Sequence, residues 1–368
     1  MAPSAVRMED MPSHSASPAP VRFGYWTPIF GGWLRNIADE QTPVSFSHLA
    51  EIARTAEQGG FDVTLIPELS LNDIKGVQAP SLDAWSIAAG LAAVTERIEL
   101  LAAVRPGFHN PFLTAKQAAT IDEISGGRFT LNVVSAWWAE EAKQYGGLFS
   151  AHDDRYARTA EWVRVLRGLW SSTPFAFEGD YYRTEGTYLE PKPQRIPRIY
   201  AGGESEAGRT AITGFADAYL THGGTVEEVG EKIADMRRRA AEAGRAPFEA
   251  FGMAAYAIVR DSEEEALAEV ERITDVRTGA AYGSYQDFVS KSKLDVQVDL
   301  KEYSVSNRGL RPNLVGTPDQ VAERILRFSE VGVETLLLQF SPHLPELQRF
   351  AEEVIPRVRR LESLRAAA

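Results

Sequence analysis

The sequence contains no cysteine, and that absence removes disulfide frameworks, thiolate zinc sites, iron–sulfur clusters and thiol nucleophiles together. Any redox chemistry therefore falls to a bound cofactor. There is no apolar run long enough to span a bilayer, and 44% hydrophobic with 24% charged residues is the composition of an ordinary globular protein. Positive charge is in deficit: the formal net charge is -12, and every Lys/Arg-rich stretch is interleaved with acids. A nucleic-acid partner, which needs a basic face, is disfavoured. Histidine is sparse, and His109, His152, His222 and His343 fall on separate predicted loops, so no metal-ligand spacing is present. Met1–Pro20 is rich in Pro, Ser and Ala but lacks an apolar signal-peptide centre; it reads as a disordered leader, with residues 363–368 as a tail and the cytoplasm as the expected location.

What is present is an alternation. From Val21 onward, short β-rich runs at Arg22–Trp26, Asp62–Ile66, Ile98–Val104, Phe129–Val134, Arg198–Ala201, Ala218–Thr221, Ala250–Val259 and Thr335–Gln339 alternate with amphipathic helical stretches. The helices are expected near Phe46–Gly59, Asp83–Thr95, Phe112–Ser125, Asp154–Trp170, Ala207–Phe215, Val226–Ala243, Glu263–Ile273 and Pro318–Val331, with a last one at Pro345–Leu361. Eight βα units predict a single α/β domain over residues 21–362, a (β/α)8 TIM barrel with insertion segments. The rival is a doubly wound open sheet. It is weaker, because no strand is followed by the dinucleotide glycine fingerprint: Gly202-Gly203-Glu204-Ser205 comes late and lacks the third glycine.

Two segments break the rhythm. Residues 171–197 carry strand-like pieces at Phe175–Phe177 and Tyr181–Thr184. Thr274–Leu314 is a polar insert after the seventh strand, longer than an ordinary barrel loop; it is the expected active-site lid, the alternative being a surface loop without function.

Individual residues carry chemistry on this frame. Gly202-Gly203-Glu204-Ser205 follows a strand and precedes a helix, where bare amides and a hydroxyl suit a phosphate at the positive helix end; the alternative is a tight βα turn. Asn132 lies within the fourth strand, where a polar side chain facing the barrel needs a partner, either a ligand or a neighbouring strand. Trp137 and Trp138 directly follow that strand and either wall the site or pack its rim. His222, at the end of the sixth strand, is an acid or base candidate or a packing histidine.

At the fourth strand, Ala119-Thr120-Ile121-Asp122-Glu123-Ile124-Ser125-Gly126-Gly127-Arg128-Phe129, then Asn132-Val133-Val134-Ser135, closely resembles the bacterial luciferase-like flavin-dependent monooxygenases. Ordered matches continue through Leu100–Pro106, His152–Tyr156 with Glu161, Tyr200–Ser205 and Leu314–Pro318. The resemblance implies reduced FMN (FMNH2), delivered by a separate NAD(P)H-dependent flavin reductase, used with dioxygen. It implies that the phosphate at Gly203, Glu204 and Ser205 is that of FMN, that Asn132 meets the flavin ring, and that Glu68, Leu69, Glu141, Arg155 and Tyr156 line the cofactor. Arg155 has the alternative of pairing Glu161 or Asp154. Asn132, Trp137 and His222 are the expected catalytic residues. Homodimers or homotetramers are expected by the same likeness and by the general prevalence of symmetric assemblies.

Substrate class follows from departures within that resemblance. The alkanesulfonate branch grips its sulfonate with side chains replaced here by His222, Ala254, Tyr256 and Ser341, and only His343 survives. A buried sulfonate without a cation is strongly disfavoured. The substrate is therefore neutral or held by other cations, for which Arg105, His109, Arg308 and Arg311 are candidates; Trp26 and Tyr256 join the substrate-side set. Ser306-Asn307-Arg308-Gly309-Leu310-Arg311, Leu314-Val315-Gly316-Thr317-Pro318 and Leu338-Gln339-Phe340-Ser341-Pro342 look most like the dimethylsulfone branch, which implies a small organosulfur substrate, a sulfone, with carbon–sulfur cleavage. The alternatives are a sulfonate enzyme with an altered grip, a deazaflavin-dependent oxidoreductase and a non-catalytic flavin-binding protein.

Overall fold

The computed structural model describes residues 19–35, 37, 40, 42–134, 138–148, 152–275, 305 and 309–367. Strand β1 (Arg22–Trp26) leads to helix α1 (Phe46–Gln58), β2 (Val63–Ile66) to α2 (Ala84–Val94), β3 (Glu99–Val104) to α3 (Pro111–Ser125), and β4 (Phe129–Val133) to α4 (Ala139–Tyr145) and α5 (His152–Ser171). An antiparallel hairpin of β5 (Phe175–Glu178) and β6 (Arg183–Thr187) precedes β7 (Ile199–Gly202) and α6 (Glu206–Phe215). Then come β8 (Ala218–Thr221), α7 (Val226–Glu242), β9 (Ala250–Val259) and α8 (Glu263–Thr274). The chain returns through β10 (Leu314–Gly316) and α9 (Pro318–Glu330) to β11 (Thr335–Gln339), and closes with α10 (His343–Glu353) and α11 (Ile355–Ala366).

The sheet runs β11-β1-β2-β3-β4-β7-β8-β9 and β9 pairs β11, so eight parallel strands close on themselves. The eight barrel strands close without an edge among themselves, which excludes the open doubly wound arrangement. Each of the eight expected barrel strands lies within one residue of its observed bounds. Period two decides what faces where. Phe23 and Tyr25 of β1 join the core between sheet and helices, whereas Val63, Leu65, Leu101, Tyr200, Leu220 and Leu337 form a separate cluster within the lumen, against which Trp26 packs. Gly24 shares the lumen face of β1: a Cβ there would stand 2.6 Å from Val63 Cγ1 and 2.8 Å from Leu337 Cδ2, so only glycine lets these strands approach.

The helices are fixed by their starts. Thr225 with Glu228 opens α7, and Thr317 with Gln320 opens α9, each as a reciprocal capping box. Two features depart from the expectation. The single terminal helix over Pro345–Leu361 is two helices meeting at Val354, with Pro356 in the first turn of α11, where a residue without an N–H starts a helix but cannot continue one. The insert also ends in a strand: β10 pairs in parallel with the distal half of β9, Leu314 opposite Ala257 and Gly316 opposite Val259. Of the expected lid, residues 276–304 and 306–308 lie outside the described residues, as does the leader over 1–18. Val305 bridges Leu34 in the loop after β1, and the Tyr256 amide donates to Gly309 O at 2.7 Å, so the insert's return is fastened across the carboxyl ends of the strands.

Candidate active site

The carboxyl end of the lumen gathers Asn132, Trp26 and Gln339. Asn132 is opposite Tyr200, a lumen residue, and therefore faces inward. It is 6% exposed, and its Oδ1 is buried without a hydrogen-bond partner. An unsatisfied buried acceptor costs about 1–3 kcal/mol, so the fold retains it at a penalty that a ligand donor would relieve. Oδ1 makes no bond to a neighbouring strand. Trp26 Nε1 is likewise buried and unpartnered. Gln339, two residues beyond the lumen residue Leu337 on β11, is 5% exposed. Sequence reasoning missed Gln339, although a polar residue closing the apolar strand Thr335–Gln339 is the same signal that marked Asn132.

A second feature lies at the start of α6. Ser205 caps the helix, its Oγ accepting from the Gly208 amide at 3.1 Å, and Glu206 and Ala207 fall in the first turn, whose amides have no intrahelical acceptor. Close approach is enforced by missing side chains: a Cβ on Gly203 would stand 2.9 Å from Ile212 Cδ1, and one on Gly208 would stand 2.7 Å from the Tyr156 hydroxyl. Tyr156 of α5 and Ser205 thus converge on one helix end although far apart in sequence. Arg155, one residue away, begins the same turn. Its expected alternative partner Glu161 instead accepts from the amides of Asp180, Tyr181 and Tyr182 and so holds the β5–β6 hairpin. The Glu204 carboxylate is gripped by Lys232 Nζ at 2.6 and 2.7 Å, with Thr221 Oγ1 at 3.0 Å and the His222 amide at 3.3 Å. It ties the loop after β7 to α7 and locates the backbone of His222.

Beyond β2 and β3 stands a cluster of charge. Arg105, 2% exposed, donates from its amide (2.8 Å) and Nε (3.1 Å) to Glu68 Oε2, and from Nη2 to Glu141 Oε1 at 3.1 Å, with Nη1 on Glu141 Oε2. Burial works against its charge, and the two carboxylates override that and raise its pKa further. Glu68 Oε1 also meets His109 Nε2, and Glu141 Oε1 accepts from the Ser70 amide at 2.6 Å, beside Leu69. Arg105 and His109, expected as substrate cations, are therefore partners of Glu68 and Glu141, which were expected at the flavin. Arg105 has no uncompensated charge to offer an anion.

His343 departs similarly. It lies in the outer core, 2% exposed, edge-on to Tyr25 at 5.7 Å and Phe340 at 5.8 Å, with Nδ1 accepting from Trp33 Nε1 at 3.3 Å. Burial pushes its imidazole down to about 3, so it is neutral. Tyr256 is 1% exposed, and burial, with the charge of Glu40, raises its pKa. Glu40, absent from the sequence-derived set, accepts from the amides of Trp33 (3.1 Å) and Leu34 (2.9 Å), from Lys75 Nζ (2.7 Å) and from Ser341 Oγ (2.6 Å). It binds three loops of the barrel mouth together. Trp137 and Arg308 lie outside the described residues. Among the described residues no group of His, Asp and Glu is arranged to hold a metal ion.

The lumen thus holds two buried polar atoms without partners, and the start of α6 packs closely against Tyr156. The family model for luciferase-like monooxygenases matches residues 21–335, from the first strand into the last. The chain belongs to the luciferase-like monooxygenase family. Within curated members it is 35% identical over 370 aligned positions to the FMNH2-dependent dimethylsulfone monooxygenase of Pseudomonas putida, covering 95% of this chain and 98% of that one. It is 34% identical to the enzyme of that name from Pseudomonas fluorescens (strain Pf0-1), covering 93% and 96%. Among solved structures, DmoA from Hyphomicrobium sulfonivorans superposes with a TM-score of 0.78 at 22% identity, over 93% of this chain and 88% of that one, a likeness of fold. Tyr156 and Ser205 meet around Gly208, and Asn132 lies on the lumen face of β4, next to β7.

Proposed function

We propose that this protein is a two-component monooxygenase that takes reduced FMN from a separate NAD(P)H-dependent flavin reductase and uses dioxygen to oxidise a small neutral sulfone, cleaving a carbon–sulfur bond. The observation that carries this reading is the 35% identity, over 95% of the chain, to an FMNH2-dependent dimethylsulfone monooxygenase. In balanced form, a dialkyl sulfone, dioxygen and reduced FMN give a sulfinate, an aldehyde, water and oxidised FMN. The reading includes an assembly of two or four identical chains.

The residues present fit the cofactor. Ser205, Gly203 and the first-turn amides of α6 would receive the FMN phosphate, with the Tyr156 hydroxyl and Arg155 beside them. The orphaned Oδ1 of Asn132 would accept from a flavin ring N–H. When bound, reduced FMN supplies the electrons that activate dioxygen. The protein's own contribution is to orient the ring, exclude water and fix charge. The Arg105–Glu68–Glu141 cluster keeps the wall beyond β2 and β3 rigid, and Glu40 holds the loop carrying Trp33 against the one carrying Lys75. His222 is retained as an acid or base candidate, Trp137 and Trp138 as walls of the site, and the insert over Thr274–Leu314 as its cover.

Charge supports a neutral substrate. Among the described residues near the mouth, Arg105 is matched by Glu68 and Glu141, Lys232 by Glu204, Lys75 by Glu40 and Arg311 by Glu228, while His343 is neutral. A sulfonate would meet no uncompensated cation there. The test is a panel of sulfones, short and long alkanesulfonates and uracil with photoreduced FMN and dioxygen, scored for sulfinate, sulfite and aldehyde. Sulfone consumption with equimolar sulfinate and aldehyde is expected; a preference for long sulfonates would overturn the substrate while leaving the cofactor intact.

A further inference from the structure

Among the described residues, four buried tryptophans have their indole N–H satisfied, whereas that of Trp26, which faces the lumen, is not. Trp85 donates to Ala103 O at 3.1 Å, Trp162 to His109 O at 2.9 Å, Trp170 to Ala115 O at 3.1 Å and Trp33 to His343 Nδ1 at 3.3 Å. Each is a core tryptophan whose polar tip has found a carbonyl or an imidazole, as buried indoles do. Trp26 Nε1 has found nothing. Its ring stands edge-on to Trp33, centroids 5.9 Å apart, so the two indoles share one aromatic wall while only one has its donor paired. Trp26 lies at the carboxyl end of β1, packed on the lumen cluster, and the register Tyr25 opposite Leu338 brings the next residue, Gln339, alongside it from β11. Around them the lumen is apolar, with Leu65 on β2 directly opposite Trp26 and Leu337 below.

We infer that Trp26 Nε1, assisted by the Gln339 amide, is the donor site that reads a sulfonyl oxygen of the substrate, and that it sets selectivity for oxidised over unoxidised sulfur. The inference rests on the sulfone reading above and deepens it. A sulfone has two strong acceptor oxygens and no N–H or O–H donor; a dialkyl sulfide of the same carbon skeleton has neither oxygen. A neutral indole N–H and an amide N–H in an apolar surround match the sulfone without bringing a charge that would favour a sulfonate. An indole donor left unpaired is costly in a core and useful in a site, because a ligand lacking the acceptor leaves it unpaired again, and that asymmetry is what discriminates.

The experiment uses the full-length protein with dimethylsulfone, dimethyl sulfoxide and dimethyl sulfide as probes. Binding is followed by the Nε1–H resonances of 15N-tryptophan-labelled protein, and turnover with photoreduced FMN. With the unaltered protein, sulfone and sulfoxide should shift one indole N–H resonance downfield and compete with each other, and the sulfide should do neither; a sulfide that competes as well as the sulfone overturns the inference even if no variant folds. Trp26→Phe should remove the shifting resonance and raise the KM for sulfone by about tenfold, the loss of one hydrogen bond, with the affinity for reduced FMN within about twofold of the parent. Gln339→Leu should raise KM in the same direction. An unchanged sulfone KM in Trp26→Phe overturns the inference while the sulfone reading stands; an unaltered protein that neither binds nor consumes any sulfone overturns that reading instead.

Discussion

Arg105 and Glu141 meet as two parallel forks: both terminal nitrogens of the guanidinium lie on the two oxygens of a carboxylate that is itself fully buried. Glu68 closes the third side through Nε. Buried pairs of this geometry are strongly destabilising to break, at about 3–5 kcal/mol, because the surviving charge is left without a partner. Arg105→Met should therefore lower unfolding free energy by that order in urea titrations. Arg105→Lys should also be costly, since a point charge cannot span both carboxylates. A loss below about 1 kcal/mol, the range of surface pairs, would show that the cluster does not hold this wall.

Ser205 has one observed task and one proposed, and they separate experimentally. As the cap of α6 it contributes about 1 kcal/mol to stability. In the proposed phosphate cradle it would favour FMN over riboflavin, which carries the same ring without the phosphate. Ser205→Ala should narrow the ratio of reduced FMN to reduced riboflavin affinity, measured anaerobically by fluorescence quenching. A ratio that stays constant would place the phosphate elsewhere.

Asn132→Leu should move stability and binding in opposite directions. Removing a buried acceptor without a partner relieves the fold, so the cofactor-free variant is expected to be at least as stable as the parent. Affinity for reduced FMN should fall by roughly five- to a hundredfold, the equivalent of about 1–3 kcal/mol. A variant that is destabilised yet binds flavin normally would assign Asn132 to the fold alone.

His343 predicts an acid-sensitive core. Its imidazole titrates near 6.5 when unfolded and at about 3 when folded, chiefly through burial, so the unfolded chain binds the extra proton first. This contribution is complete above about pH 6.5, declines as pH falls below it and is lost by about pH 3, on the order of 5 kcal/mol in all. His343→Gln retains an acceptor for Trp33 but does not titrate, so its unfolding free energy should vary less between pH 7 and pH 4.5 than the parent's. Equal slopes would contradict the neutral, buried assignment.

The barrel was legible because its strands are apolar runs such as Leu100–Val104 and Ala250–Val259, bounded by turns and spaced by helices with strong caps; local pattern and global fold agree there. Asn132 and the turn ending in Ser205 stood out as polar residues where an apolar strand or a bare turn was expected. The electrostatic architecture did not stand out. Arg105 finds Glu68 and Glu141 at separations of 37 and 36 residues, and Glu40 finds Ser341 across 301, distances over which a single sequence carries no signal. His343 was misplaced for a related reason: it falls just past a strand end, yet α10 begins at that very residue and carries its ring into the outer core. The break at Val354 was hidden inside a continuous helical periodicity that Pro356 interrupts.

The strand Leu314–Gly316 hangs on β9 beyond the point where β9 pairs β11 through Gln339 and Tyr256. Every hydrogen bond that closes the eight-stranded cylinder is therefore made without it. Val305, Gly309 and β10 are moored to the rim like a gangway to a hull, and changes in β10 would not reopen the cylinder. Divergence in what such proteins admit should accumulate at this mooring, beside Leu34 and the outer end of β9, while the staves below stay much the same.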